Sequence, residues 1–322
     1  MIDPRILITT YPTAFLHRGG GELELIDLCS NLRQLGIRAD IYGSGSAPLN
    51  KYDTILHYST LPSGMEFVLE AKKVGKKVVL MPSLWWLKEP SEPEKALTAE
   101  FFRLADRVVF KSKSEYENTS HWIPVDGPKV AFCRWGVDSS FEEPADKKLF
   151  KQAHQLTDYI LWPGIIEERK NQLTAIHALK DSKIPVIFLG DYRDRSYYES
   201  CVKAAPSHFK FLPHLQAKSE MLRSAIQNCK VFLEVPLEPP GFSAFEAALA
   251  KVPMVLSKGP WSDEHFGGLV YLADPKSTKS IQKSVQAALE SQPSSELHTN
   301  THNRHLLPQS LEPLVRALQL RT

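Results

Sequence analysis

Short apolar, β-branched runs alternate along this chain with longer stretches of helical spacing. The runs fall at residues 5–10, 38–42, 54–57, 78–81, 107–110 and 130–133, with a first helical stretch at 22–35. Strand and helix in such alternation predict a parallel sheet covered by helices on both faces. A polar stretch at 142–148 interrupts the rhythm, which restarts at 159–162, 186–189, 210–212, 231–234, 254–256 and 269–272, with helices over 173–179 and 242–250. At 322 residues, and roughly 150 residues per domain, two doubly wound α/β domains are the economical reading. Sheets of this kind bind ligands beyond the carboxyl ends of their strands, so functional residues are sought in those loops. Outside a helix at 281–289, residues 276–306 show little apolar periodicity and read as a mobile or surface connection. Residues 310–320 return to helical spacing with Leu311, Leu314, Val315, Leu318 and Leu320.

Charge excludes several function classes. Lys and Arg number 39 against 37 Asp and Glu, without the basic excess that binding a phosphate backbone needs, so no nucleic-acid partner is expected. The apolar runs fall far short of the ~20 residues that span a bilayer, and the N-terminus lacks a signal-peptide pattern, so a cytoplasmic protein is expected. Lys72, Lys73, Lys76 and Lys77 leave open a peripheral contact with anionic lipid at the inner face of the membrane, beside the plainer reading of a solvated helix end. Cys29, Cys133, Cys201 and Cys229 are widely separated and read as reduced core thiols. No His, Asp or Glu cluster has metal-ligand spacing. Nothing in the sequence fixes the oligomeric state.

Three segments carry chemistry. The first strand runs into His17-Arg18-Gly19-Gly20-Gly21-Glu22, where glycines admit close backbone approach and a helix start favours an anion; a tight turn without a ligand is the alternative. In the second half, the strand at 159–162 leads into Pro163-Gly164-Ile165, then Glu168-Arg169-Lys170-Asn171 and a helix. Two adjacent cations at a strand mouth suit a diphosphate. The third segment is Glu238-Pro239-Pro240-Gly241-Phe242-Ser243-Ala244-Phe245-Glu246. Gly241 lets the chain enter a helix with the N–H groups of Phe242 and Ser243 open to a phosphate. Glu246 falls on a face of Ala and Phe, where burial calls for a hydroxyl or N–H partner such as a sugar or ribose.

These segments, taken in order, resemble the GT-B glycosyltransferases, specifically the family 4 group of retaining enzymes. Gly19-Gly20-Gly21-Glu22 is similar to the family's first-strand loop, residues 105–112 to a strand ending in Ser, and residues 134–141 to the Gly-Val-Asp segment before the second domain. Residues 168–178 resemble the donor-diphosphate segment and 238–246 the paired-glutamate motif. The resemblance implies two Rossmann-like domains facing each other across a cleft, with an acceptor-side domain over 1–145, a nucleotide-sugar domain over 146–308, and a helix at 309–322 packing back on the first domain. It also implies metal-independent transfer from a nucleotide-diphosphate sugar to a glycan or lipid-linked acceptor, with no cofactor, in bacterial surface polysaccharide synthesis. Lys170 and Arg169 would neutralise the donor diphosphate, Phe242 and Ser243 would bind its distal phosphate, Glu246 the ribose and Glu238 the transferred sugar. His214 would lie at the base, with Gly20, Gly21, Gly164 and Gly241 shaping the donor site and Glu22, Ser83 and Trp85 on the acceptor side. Two positions depart from the pattern: Ile165 stands where many members have Arg, and Ser83 where many have His. A nucleotide-sugar epimerase, or a catalytically weak nucleotide-sugar-binding partner, are the competing readings.

Overall fold

In the computed structural model, residues 5–16, 19–292 and 294–318 are described. The apolar runs become two six-stranded sheets in which all neighbouring strands pair in parallel. The first holds β1 (Arg5–Thr9), β2 (Arg38–Ile41), β3 (Thr54–Tyr58), β4 (Lys77–Met81), β5 (Arg107–Phe110) and β6 (Val130–Phe132), in the order β2-β1-β3-β4-β5-β6. The second holds β7 (Ile160–Pro163), β8 (Val186–Leu189), β9 (Lys210–Leu212), β10 (Val231–Glu234), β11 (Met254–Ser257) and β12 (Tyr271–Ala273), in the order β12-β11-β10-β7-β8-β9. Covered on both faces, central strands such as β7, β8, β10 and β11 bury every residue, which is why they read as unbroken apolar runs. The strand order turns back between β1 and β3 in one sheet and between β7 and β10 in the other. Those are the switch points beside which crevices open at the carboxyl ends.

The chain divides into two units, one taking the residues up to Gly136 and from Leu307 onward, the other Val137–Leu306. The division thus lies at 136/137 and 306/307 rather than at 145/146 and 308/309. The polar stretch expected as a linker is held by the second unit. The Val137 N–H donates to the His305 carbonyl at 2.7 Å. The Gln227 amide donates to the Phe141 and Glu143 carbonyls at 3.1 and 2.8 Å, and Phe141 is buried.

A second difference concerns residues 276–306. Beyond the helix Thr278–Leu289, a further helix at Ser295–His305 packs against the helix Ser243–Leu249. It buries Leu297, Thr301 and His305, a stripe at i, i+4 and i+8 of which only the first is apolar, so hydropathy alone hid it. In the first unit, the helix Glu312–Leu318 lies on β5 and β6 with Leu314 and Leu318 buried; Leu320 is outside the described residues.

Candidate functional site

In the second unit, β7 ends at Pro163 and the chain turns through Gly164, whose φ of +132° suits glycine. Gly190 must also be glycine, because a Cβ there would meet the Gly164 carbonyl oxygen at 2.1 Å. The turn Glu168–Lys170 follows and closes on Asn171, which is left-handed at φ +64°. The Asn171 amide donates to the carbonyls of Val235 at 3.0 Å and Pro275 at 2.8 Å. The Leu237 N–H donates to the Arg169 carbonyl at 2.9 Å. These bonds fasten the loop after β7 to the loop after β10, across the switch point of the sheet.

That fastening brings three of the expected residues together. Lys170 Nζ lies 2.9 Å from Glu238 Oε1, and an Arg169 guanidinium N–H donates to Glu238 Oε2 at 2.9 Å. Arg169 also reaches Glu167 at 3.1 Å. Burial works against the Lys170 ammonium, but the carboxylates of Glu238, Glu234 and Glu167 outweigh it, and its pKa lies above the ordinary lysine value. Lys170 therefore stays a cation on the floor of the switch point.

Glu234, read from the sequence only as the end of a strand, is the residue that reasoning missed. It is 2% exposed, accepts the Gly241 N–H at 2.8 Å and accepts the Ser243 hydroxyl at 2.9 Å. Burial raises its pKa, against the pull of Lys170 and its two donors. The signal for it was an acidic residue closing an otherwise apolar run. Gly241 and Ser243 are thus engaged by a carboxylate at the start of the helix Ser243–Leu249, with Phe242 preceding it and Glu246 half-buried within it. His214, following β9, is exposed, and its Nδ1 lies 2.5 Å from Asp191 Oδ2.

The remaining expected residues lie in the first unit. Gly20 and Gly21 open the helix Gly20–Gln34; His17 and Arg18 of the same loop are outside the described residues. Glu22 is buried and occupied on both oxygens, accepting the Gly19 N–H at 2.7 Å and the Tyr11 hydroxyl at 2.6 Å. Trp85 is half-buried. Ser83, with φ +49°, belongs to a polar cluster at the carboxyl ends of β3, β4 and β5 that includes Glu24, Tyr58 and Lys111. Among the described residues, no group of three or more His, Cys, Asp or Glu is placed to hold a metal ion, and no helix is long and apolar enough to cross a membrane.

Residues 145–304 match the model of the family described as glycosyl transferases group 1. This part of the chain belongs to that family. The fold of the whole is that of GT-B glycosyltransferases, two Rossmann-like domains in one chain. Anabaena Alr3699/HepE, solved in complex with UDP-glucose, is similar at 16% identity and a TM-score of 0.82, with 98% of this chain and 99% of that chain covered. A glycosyltransferase from Rickettsia africae matches at 13% identity and a TM-score of 0.80, over 98% of each chain. Sucrose-phosphate synthase from Thermosynechococcus elongatus matches at 16% identity and a TM-score of 0.75, over 98% of this chain and 94% of that one. No curated protein matches the chain. Within residues 145–304, Lys170 and Arg169 meet Glu238 at the switch point.

Proposed function

We propose that this protein is a retaining, metal-independent glycosyltransferase that moves a sugar from a nucleotide-diphosphate sugar to a hydroxyl of a glycan or lipid-linked acceptor. Bacterial surface polysaccharide synthesis is the setting most in keeping with its family. The observation that carries the reading is the convergence of Lys170 and Arg169 on one carboxylate, Glu238, at the switch point of a group 1 domain. A carboxylate there stands where a donor diphosphate would accept the same two cations, and UDP-sugar is the donor class that the HepE complex suggests. Leaving-group departure places negative charge on the diphosphate, and two fixed cations in a part-buried crevice stabilise that charge as it develops. With Lys170 and Arg169 engaged by phosphate, Glu238 is released toward the transferred sugar. Glu246 then accepts from ribose hydroxyls, His214 lies near the base, and the N–H groups of Phe242 and Ser243 face the distal phosphate. Retention follows from attack on the face the leaving group departs from, assisted by a donor phosphate oxygen.

The test is a thermal-shift screen of UDP, GDP and dTDP and their hexose conjugates, followed by incubation with the conjugate that binds. Ligand that binds only the folded state raises the melting temperature. Slow release of nucleoside diphosphate supports a transferase. Conversion of one sugar nucleotide into its epimer would establish the epimerase reading, and binding without either reaction would establish the non-catalytic one.

A further inference from the structure

Glu234 takes no part in the donor contacts proposed above, yet it is built into the same loop. It closes β10, is 2% exposed, and uses both oxygens on the turn that follows: Oε1 accepts the Gly241 N–H at 2.8 Å and Oε2 the Ser243 hydroxyl at 2.9 Å. Gly241 is packed so close that a Cβ there would meet Glu234 Oε1 at 3.2 Å and Ser243 Oγ at 3.4 Å. The cations of the same switch point are already matched, Lys170 by Glu238 at 2.9 Å and Arg169 by Glu238 at 2.9 Å and Glu167 at 3.1 Å. A diphosphate arriving on those cations therefore adds negative charge to a balanced site. The side chains of Glu238 and Glu167 are 16% and 13% exposed, and each can turn toward water. Glu234 is held by its two donors out of reach of solvent, where a carboxylate that loses its countercharge to another anion is costly.

We propose that Glu234 takes up a proton from solvent when a nucleoside diphosphate binds Lys170 and Arg169, and that this turns the Ser243 hydroxyl toward the distal phosphate. This rests on the donor-site reading above. The proton adds to Oε2, which then donates to Ser243 Oγ along the hydrogen bond it formerly accepted. A hydroxyl both donates and accepts, so the Ser243 hydrogen is freed to point away from Glu234. Oε1 keeps the Gly241 N–H, so the turn holds its shape in both states, and no covalent bond other than the new O–H is made on the protein. Glu234 touches no atom of the ligand; it is a positioning residue that sets how the turn meets the phosphate.

The groups around Glu234 fix the direction of the effect. Burial raises its pKa above the ordinary carboxylate value, Lys170 from the turn after β7 and the donors on Gly241 and Ser243 pull it down, and Glu238 from its own loop raises it. β11, paired beside it, carries no charge, and the faces that the helices Ser243–Leu249 and Thr278–Leu289 bury are apolar. Phosphate on Lys170 takes up that countercharge and adds a like charge, so the carboxyl titrates at higher pH in the complex than in the free protein. Affinity is then greatest on the acid side and falls as pH rises between the two titrations, by at most about tenfold per pH unit for one proton.

The experiment is titration calorimetry of the full chain with whichever of UDP, GDP and dTDP binds, from about pH 5.5 to about pH 8.5 in buffers of different ionisation enthalpy, which reads the protons taken up per ligand. The ligand's own phosphate titrates in the same range, so the parent is compared with Glu234→Gln, whose amide accepts from Gly241 and donates to Ser243 Oγ as the protonated carboxyl does. The parent should take up as much as about one proton more per ligand than the variant, and Glu234→Gln should match the parent's affinity at the acid end and exceed it about tenfold at the alkaline end. Ser243→Ala should bind about tenfold more weakly than the parent at the acid end, where its hydroxyl would meet the phosphate, and equal it at the alkaline end. Equal proton uptake in parent and Glu234→Gln would overturn the proposal and leave the donor site standing. So would an affinity of Glu234→Gln reduced equally at every pH, the mark of a carboxylate that only props the turn. Where Glu234→Gln does not fold, Ser243→Ala decides, and an affinity that is parental, or equally reduced, at both ends of the range would overturn the proposal. A parent that binds none of the three diphosphates would overturn the donor-site reading and this proposal with it.

Discussion

Lys170 and Glu238 are the two residues on which the donor reading turns, and the structure makes their variants behave in opposite directions. Arg169, Lys170 and Arg193 face Glu167, Glu234 and Glu238, three cations to three carboxylates, so an arriving diphosphate must displace a carboxylate already in place. Lys170→Ala removes a charge-assisted contact and should weaken nucleoside diphosphate binding by about 2 kcal/mol, roughly 30-fold. Glu238→Ala removes the competitor and should tighten the same ligand by up to about 1 kcal/mol, since part of the pair is exposed and screened, while transfer collapses because the sugar loses its contact. Calorimetry with UDP on both variants, beside a turnover assay, checks this; weaker UDP binding in Glu238→Ala would show that the carboxylate is not in the diphosphate's way. Gly190 gives a steric prediction from the same loop. With its would-be Cβ 2.1 Å from a backbone oxygen, Gly190→Ala must push β7 and β8 apart, and should lower stability by about 3 kcal/mol, the upper range for overpacking, read as a shifted urea midpoint.

Among the elements, strands and the helices after them were legible because a parallel sheet buried on both faces leaves continuous apolar runs, as in 231–234 and 254–256. The Lys170 and Glu238 loops were legible for a related reason: charge at a strand mouth has few structural uses. What escaped was encoded in polar residues doing apolar work. The helix Ser295–His305 seats Thr301 and His305 rather than leucines, and Glu234, at the end of an apolar strand, hides a carboxylate that holds Gly241 and Ser243. Lys111 escaped likewise, because only the fold sets the ends of β3, β4 and β5 side by side. His57 on β3 is likewise a polar residue in an apolar setting. It is wholly buried, hydrogen-bonded at Nδ1 to Thr9 Oγ1 at 2.8 Å and stacked on Phe101. Burial lowers its pKa to about 4 from 6.5. A depressed value means that His57 contributes stability in full above pH 6.5 and loses it as pH falls through about 4, an effect of order 3 kcal/mol. Glu24, with a pKa raised by burial, contributes in the opposite sense, so the contribution is isolated by comparison with His57→Asn, which keeps the bond to Thr9. Denaturation at pH 7.5 and 4 should show the variant losing less than the parent on acidification, and equal losses would mean that the imidazole takes up its proton at the same pH in the folded and unfolded chain.

For the molecule as a whole, the decisive feature is that one unit is continuous in sequence and the other is not. Residues 137–306 carry their own sheet, core and candidate donor site. The first unit closes only when residues from Leu307 onward join it. Leu307, Leu311, Leu314, Ala317 and Leu318 are all buried there, and Gly136 is packed so tightly that a Cβ would meet the Leu307 side chain at 2.4 Å and Ser310 Oγ at 2.3 Å. Burying a leucine stabilises by about 1.5–3 kcal/mol, so the four leucines together contribute roughly as much as the net stability of an ordinary domain. Ending the chain at Leu306 should therefore unfold the first unit and spare the second. Calorimetry of the truncated chain should show one cooperative transition in place of two, proteolysis should leave a core fragment within 137–306, and that fragment should still bind UDP with the affinity of the full chain. Two unchanged transitions in the truncated chain would show that β5 and β6 hold the first unit together without the helix Glu312–Leu318, and loss of UDP binding by an intact 137–306 fragment would place part of the nucleotide's affinity outside this unit.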